Sequence, residues 1–149
     1  MKAEYAGGPI RTVSNEWREA MGVVSGALGH AGIFFQLARQ DEPFSSPVWV
    51  CQFQSESGES FQAILHIHDN EWLRVQAITP VIAADMDKKA LIHAIRSQGL
   101  LPYVCMAVSE AGELVLVSET RISFLNAIFV EEMFAALTRL YSEIVGLAT

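Results

Sequence analysis

The sequence predicts an α+β domain in which an antiparallel sheet carries its helices on one face. Apolar residues recur at helical spacing in three separate segments, and between those segments they alternate with polar residues. Short polar turns join most of the alternating segments, and links this short allow only antiparallel neighbours. The predicted order of elements is therefore α-β-β-β-α-β-β-α, and the apolar and aromatic residues 33–38 offer one extra strand after the first helix.

The length of the chain fits a single domain. It has 149 residues and a mass of 16.4 kDa, whereas domains most often contain roughly 100–150 residues. Residues 1–12 contain Gly7-Gly8-Pro9 and show no periodicity, so we expect a flexible leader there. The single domain then covers residues 13–149.

The first helix is predicted to begin at Ser14 or Asn15, because a short side-chain oxygen can accept the free N–H groups of a first helical turn. Its apolar face consists of Trp17, Ala20, Met21, Val24 and Leu28. Gly22 and Gly26 each weaken the helix by roughly 1 kcal/mol relative to alanine, and they would let another backbone approach closely. We therefore expect this helix to pack tightly on the sheet.

Three strands with a two-residue period are predicted next, over residues 48–54, over 61–68, and from 73 up to Pro80. Polar turns at 55–59 and 69–70 separate them. The residues on the apolar side of these strands are Trp49, Cys51, Phe53, Phe61, Ala63, Leu65, Ile67, Leu73, Val75 and Ala77. Such alternation is typical of a sheet with one buried face.

The second half of the chain contains a short helix, a hairpin and a long helix. The short helix is predicted to begin near Asp85 or Asp87 and to end at Gly99. The hairpin covers residues 102–117 around a turn at 109–112. The long helix is predicted from Asn126 or Phe129 to residue 147, and its apolar stripe consists of Val130, Met133, Phe134, Leu137, Leu140, Tyr141 and Ile144.

Composition excludes several classes of protein. The chain has 10 Lys and Arg against 17 Asp and Glu, a net charge of −7, which argues against binding to a nucleic-acid backbone. A hydrophobic fraction of 51% is too high for a disordered chain. No apolar run approaches the roughly 20 residues that cross a bilayer, and the N-terminus lacks the apolar core of a signal peptide, so we expect a cytoplasmic protein that does not enter membranes.

Two cysteines do not make a disulfide framework, and both are expected to be reduced. Cys51 lies between Trp49 and Phe53, and Cys105 lies in a largely apolar run. Neither has a nearby cation in sequence that would activate its thiol. We interpret both as small buried hydrophobic residues.

No catalytic motif is present: the sequence lacks phosphate-binding glycine loops and the nucleophile elbow of hydrolases. The one suggestive cluster is His66, His68 and Asp69. Residues two apart on a strand share a face, so the two imidazoles could hold a metal together, although a zinc site needs three or four ligands. The competing interpretation is a solvent-facing polar stripe beside a turn.

Residues 71–147 resemble the YbjN-like group within the type III secretion chaperone-like superfamily. The shared features are the strand core Leu73-Arg74-Val75 ending at Thr79-Pro80, a short helix with Leu91 and Ile95, the hairpin of residues 107–116, and a long last helix. The resemblance implies the order α-β-β-β-α-β-β-α and a homodimer. It also implies the binding of extended protein segments along hydrophobic patches, and it implies no active site and no cofactor.

The sequence thus favours a bacterial, non-enzymatic protein-binding module, chaperone-like or regulatory, that acts as a homodimer. Its partner would cover apolar side chains, with strand addition at a sheet edge as one mode. The predicted contact residues are Trp49, Phe53, Phe124, Phe129 and Met133. The alternative is a metal-binding domain or metal-dependent hydrolase that uses His66, His68 and Asp69, and a third hypothesis places a small-molecule pocket between the sheet and the helices.

Overall fold

A computed structural model describes residues 18–38, 47–69, 71–100 and 104–148. The helices are α1 (residues 18–30), α2 (Lys88–Leu100) and α3 (Ala127–Ala148), and the strands are β1 (Phe34–Ala38), β2 (Val48–Gln54), β3 (Ser60–His68), β4 (Trp72–Ile82), β5 (Cys105–Val108) and β6 (Glu113–Arg121). The predicted α+β class and order are confirmed, and β1 is the extra strand. The predicted leader at 1–12 and the caps Ser14 and Asn15 lie outside the described residues.

All six strands form one antiparallel sheet in the order β1-β2-β3-β4-β6-β5. The apolar positions predicted for β2, β3 and β4 lie on its inner, buried face. Trp49, Leu65 and Val75 lie side by side on three neighbouring strands, and each is fully buried. The indole N–H of Trp49 donates a hydrogen bond of 3.0 Å to Ser25 Oγ, which ties the sheet to α1.

Helix α3 completes the core with a continuous apolar stripe. Its buried residues are Val130, Met133, Phe134, Ala136, Leu137, Leu140, Tyr141 and Ile144, which include the whole predicted stripe. Both later helices begin where the cap residues predict. Ala90 N–H donates to Asp87 Oδ1 at 2.8 Å, and Phe129 N–H donates to Asn126 Oδ1 at 2.9 Å.

The predicted role of the glycines in α1 is wrong. A methyl group placed at Gly22 or Gly26 would meet nothing within 4 Å, so neither glycine supports a close helix–sheet contact. The buried face of α1 is instead formed by Ala20, Val24 and Leu28, and the helical spacing places the glycines on the other side.

The prediction for the cysteines holds for Cys51 only. Cys51 is fully buried on the inner face of β2, whereas Cys105 is exposed. Cys105 lies opposite Val117 on β6, a position that faces away from the helices. An apolar neighbourhood in sequence therefore did not reveal the face of the strand, because period-two alternation places adjacent residues on opposite sides.

Candidate protein-binding surfaces

His66 and His68 lie on the outer face of β3, beside the turn to β4. Their ring centroids are 5.4 Å apart, and Arg74 is the strand partner of His66. Nε2 of His68 lies 3.1 Å from Glu119 Oε2, and Arg74 Nε donates to the same oxygen at 2.8 Å. We refer to His66, His68, Arg74 and Glu119 as the histidine cluster.

The histidine cluster does not offer a metal site. Among the described residues, no group of three or more His, Cys, Asp or Glu side chains is placed to hold a metal ion. Asp69, the third predicted ligand, lies on the far side of His68, 3.4 Å from its Nδ1. Arg74 also puts a fixed positive charge among the imidazoles, which opposes a second cation.

The neighbouring charges shift the pKa values of two members of the cluster, His66 and Glu119. Burial lowers the pKa of His66, and the neighbouring His68 and Arg74 lower it further, while Glu119 acts in the opposite direction. The hydrogen bond from Arg74 lowers the pKa of Glu119, and His68 adds to that effect. His66 is therefore the member whose charged form the fold disfavours.

The five predicted contact residues occupy different environments. Trp49, Phe53 and Met133 are buried in the core of the chain itself, where Phe53 contacts the rings of Phe61 and Phe134. Phe129 is half-buried at the start of α3. Phe124 is 67% exposed. Of the five, Phe124 is therefore exposed and Phe129 partly exposed, whereas the other three are packed in the core.

A strongly exposed apolar patch lies where β6 passes into α3. Phe124 is joined there by Ile128, which is 69% exposed, and we refer to these two residues as the tip patch. The first residue of the same 3-10 turn, Ile122, is buried, and its N–H donates to Glu71 O at 2.8 Å. This bond fixes the turn against the β3–β4 connection. Ile128 was missed by the predicted contacts, although its position off the stripe of α3 could have revealed it.

A second apolar patch lies along α2 and the edge strand β5. Ile92 and Ile95 of α2 are 39% and 51% exposed, and Val108 of β5 is 59% exposed. Helix α2 packs against both β5 and α3. We refer to Ile92, Ile95 and Val108 as the edge patch.

The other edge of the sheet carries open backbone groups. In β2 the odd-numbered residues bond to β3, because Ser55 N–H donates to Glu59 O and Ile67 N–H donates to Pro47 O in the same register. Residues alternate in the direction of their backbone groups along an antiparallel ladder. The even-numbered residues of β2 therefore face β1.

The same alternation applies to β1. Gln36 lies opposite Val50 and bonds to β2, so the backbone groups of Phe35 and Leu37 point to the open edge. A groove of about 580 Å³ begins beside this strand, between the first residues of β1, the end of β2 and α3. In the part of the chain that the structure describes, no strand covers this edge.

Comparison with known proteins places the fold. No protein-family model matches the chain, and no curated protein matches it. A chain in the solved structure of the heterodimeric complex ExoU–SpcU, from the type III secretion system of Pseudomonas aeruginosa, superposes with a TM-score of 0.59 at 15% identity. The match covers 82% of this chain and 94% of that one. The protein therefore has a type III secretion chaperone-like fold, as its resemblance to that superfamily predicted.

None of the helices in the described ranges is both long and apolar enough to cross a bilayer.

Proposed function

We propose that the protein is a bacterial, non-enzymatic protein-binding module, chaperone-like or regulatory, that acts as a homodimer in the cytoplasm. Its fold supports a role in protein binding, since the similar structure is a complex of two different proteins. The observation that carries the proposal is the tip patch. A chain that buries nearly every residue of its predicted apolar stripes nevertheless exposes Phe124 and Ile128 together.

The tip patch has the properties of a contact site for an apolar partner segment. Fully burying a side chain such as Phe or Ile contributes about 1.5–3 kcal/mol, so two of them supply a substantial part of a specific interaction. The hydrogen bond between Ile122 and Glu71 holds the turn in place, which lowers the entropy lost when a partner binds. The open edge of β1 offers strand addition as a second mode of contact.

The homodimer is proposed to form through the edge patch. Strand β5 ends the sheet, so one side of its backbone has no neighbouring strand among the described residues. Val108 on this strand and Ile92 and Ile95 on the neighbouring α2 expose apolar surface. An edge strand of this kind readily pairs with another chain unless something covers it, and a second copy covers both edges at once.

The test of partner binding is a double variant, Phe124→Ser with Ile128→Ser, expressed with a tag in the native cells. We expect a protein that co-purifies with the parent chain in stoichiometric amount to be lost from the variant. The loss is expected because the two side chains that the partner buries are removed. Mass spectrometry of the purified complexes measures the change.

A matched control replaces two isoleucines on the outer face of the sheet, Ile64→Ser with Ile78→Ser. These are also exposed, at 43% and 50% compared with 67% and 69% for the tip patch, but lie outside it. The control is expected to retain the partner. Equal retention by both double variants, or loss from both, would contradict a role for the tip patch.

A further inference from the structure

The net charge of the histidine cluster depends on pH, because an imidazole gains a proton in the mildly acidic range. At neutral pH it contains one fixed cation, Arg74, and one carboxylate, Glu119, joined by hydrogen bonds of 2.8 Å. His68 shares that carboxylate at 3.1 Å. His66 lies beside both cationic positions and has no carboxylate partner among the described contacts.

The charged or titratable groups that act on His66 all belong to this cluster. His68 lies on the same strand, Arg74 on β4 and Glu119 on β6, while the β2 partner of His66 is the apolar Val48. Protonation of His66 therefore adds a second cation beside Arg74, with Glu119 as the carboxylate that the two cations share. Asp69 is the nearest further carboxylate, and it is largely exposed beyond His68.

The cluster is connected to the tip patch through short contacts. His68 is the strand partner of Trp72, and the guanidinium of Arg121 lies 5.1 Å from the centre of the Trp72 ring. Arg121 also pairs with Glu71 at 3.1 Å. The next residue, Ile122, begins the turn that carries Phe124.

We propose that the histidine cluster is an acid-sensitive switch at this end of the sheet. Protonation of His66 places a second positive charge beside Arg74, and the resulting repulsion loosens the contact between the β3–β4 turn and the turn that carries the tip patch. The switch is a property of the folded chain and does not depend on the proposed function, although it would regulate binding at the tip patch.

The sign of the effect follows from His66. The fold lowers the pKa of this imidazole relative to its unfolded value, near 6.5. The unfolded chain therefore binds a proton that the folded chain resists. The stabilisation is fully present above pH 6.5 and is lost as the pH falls towards the folded pKa. Ordinary carboxyl groups have pKa values near 4, so the range from pH 7.5 to 5 lies above most of their titration.

The first experiment follows the full chain by NMR from pH 8 to 5, with no substitution. We expect the His66 imidazole to titrate below the ordinary histidine value of about 6.5. The indole N–H of Trp72 and the backbone amides of Ile122 and Phe124 are expected to shift with the same midpoint. A His66 midpoint at or above the ordinary value, or amide signals of Ile122 and Phe124 that do not follow it, would overturn the proposal.

The second experiment compares thermal unfolding of the parent with His66→Gln, which keeps a similar polar side chain and removes the titration. The melting temperature of the parent is expected to fall between pH 7.5 and 5, and that of His66→Gln to fall less. His93→Gln is the control, since His93 lies on α2 and pairs with Glu143. It is expected to show an acid loss at least as large as that of the parent. An equal acid loss in parent and His66→Gln contradicts the switch, whatever the result of the partner-binding test.

Discussion

Cys51 and Cys105 show how far one residue type can differ between two faces of a sheet. Burial raises the pKa of the Cys51 thiol to about 12, because the thiolate would lie in an apolar core. Cys105 lies on the exposed outer face at the edge of the sheet. Neither environment resembles that of a catalytic thiol, which needs a cation or a helix N-terminus beside it.

The two thiols are expected to differ sharply in reactivity. At pH 8 only roughly one Cys51 in 10,000 carries the reactive thiolate, and the surrounding side chains also block the reagent. Iodoacetamide should therefore add one group to the native chain, at Cys105, and two groups to the chain in guanidinium. Intact-mass spectrometry with peptide mapping measures this, and Cys105→Ser should remain unmodified in the native state. Rapid labelling of Cys51 in the folded chain would show that the core is not as described.

At the scale of elements, the edge strands of the sheet differ from its central strands in what they leave open to a partner. Strands β3 and β4 lie between neighbours on both sides, while β1 and β5 each have an open side among the described residues. Strand β5 contacts α2, and both elements expose apolar side chains. Strand β1 instead presents backbone groups beside a groove. The two edges therefore suit different contacts, a second copy at β5 and an extended segment at β1.

The hydrogen-bond direction in β1 can be checked by amide hydrogen exchange. The N–H of Gln36 is expected to be protected, since it bonds to β2, whereas the N–H groups of Phe35 and Leu37 face the open edge and should exchange faster. NMR exchange rates on the unmodified protein measure the difference. Equal protection of all three amides would mean that another strand already covers β1.

At the scale of the whole molecule, most buried apolar residues form one core, and the exposed ones include the two patches as well as Phe34, Ile64 and Ile78. The core lies between the inner face of the sheet and helices α1 and α3, and it accounts for most of the predicted apolar positions. The tip patch and the edge patch lie at different elements, so one copy of the chain could use both at the same time. This arrangement is what a dimeric module with a separate partner site requires.

The proposed homodimer predicts a mass in solution of twice 16.4 kDa. Ile95→Asp should reduce it to the monomer mass, because a carboxylate in the centre of the edge patch would be desolvated without a partner. Light scattering after size-exclusion chromatography measures the mass. Ile78→Asp is the matched control, since Ile78 is 50% exposed compared with 51% for Ile95. A parent chain that is monomeric at all concentrations would refute the dimer.

The sequence by itself determined the class of fold, the faces of β2, β3 and β4, and the starts of α2 and α3. Those features depend on local rules, namely the period of the apolar pattern and the hydrogen-bonding of the cap residues Asp87 and Asn126. Trp49 and Phe124 show what the sequence could not determine. Both are aromatic residues in apolar segments, and both were predicted to contact a partner.

Only the tertiary structure separated these two residues, placing Trp49 in the core under α1 and Phe124 on the surface. It also separated Cys105 from Cys51, and it brought Arg74 and Glu119 to the histidines from two other strands. The physical reason is the same in each case. Burial and electrostatic partners depend on contacts between residues far apart in the chain, and no local spacing records which strands become neighbours.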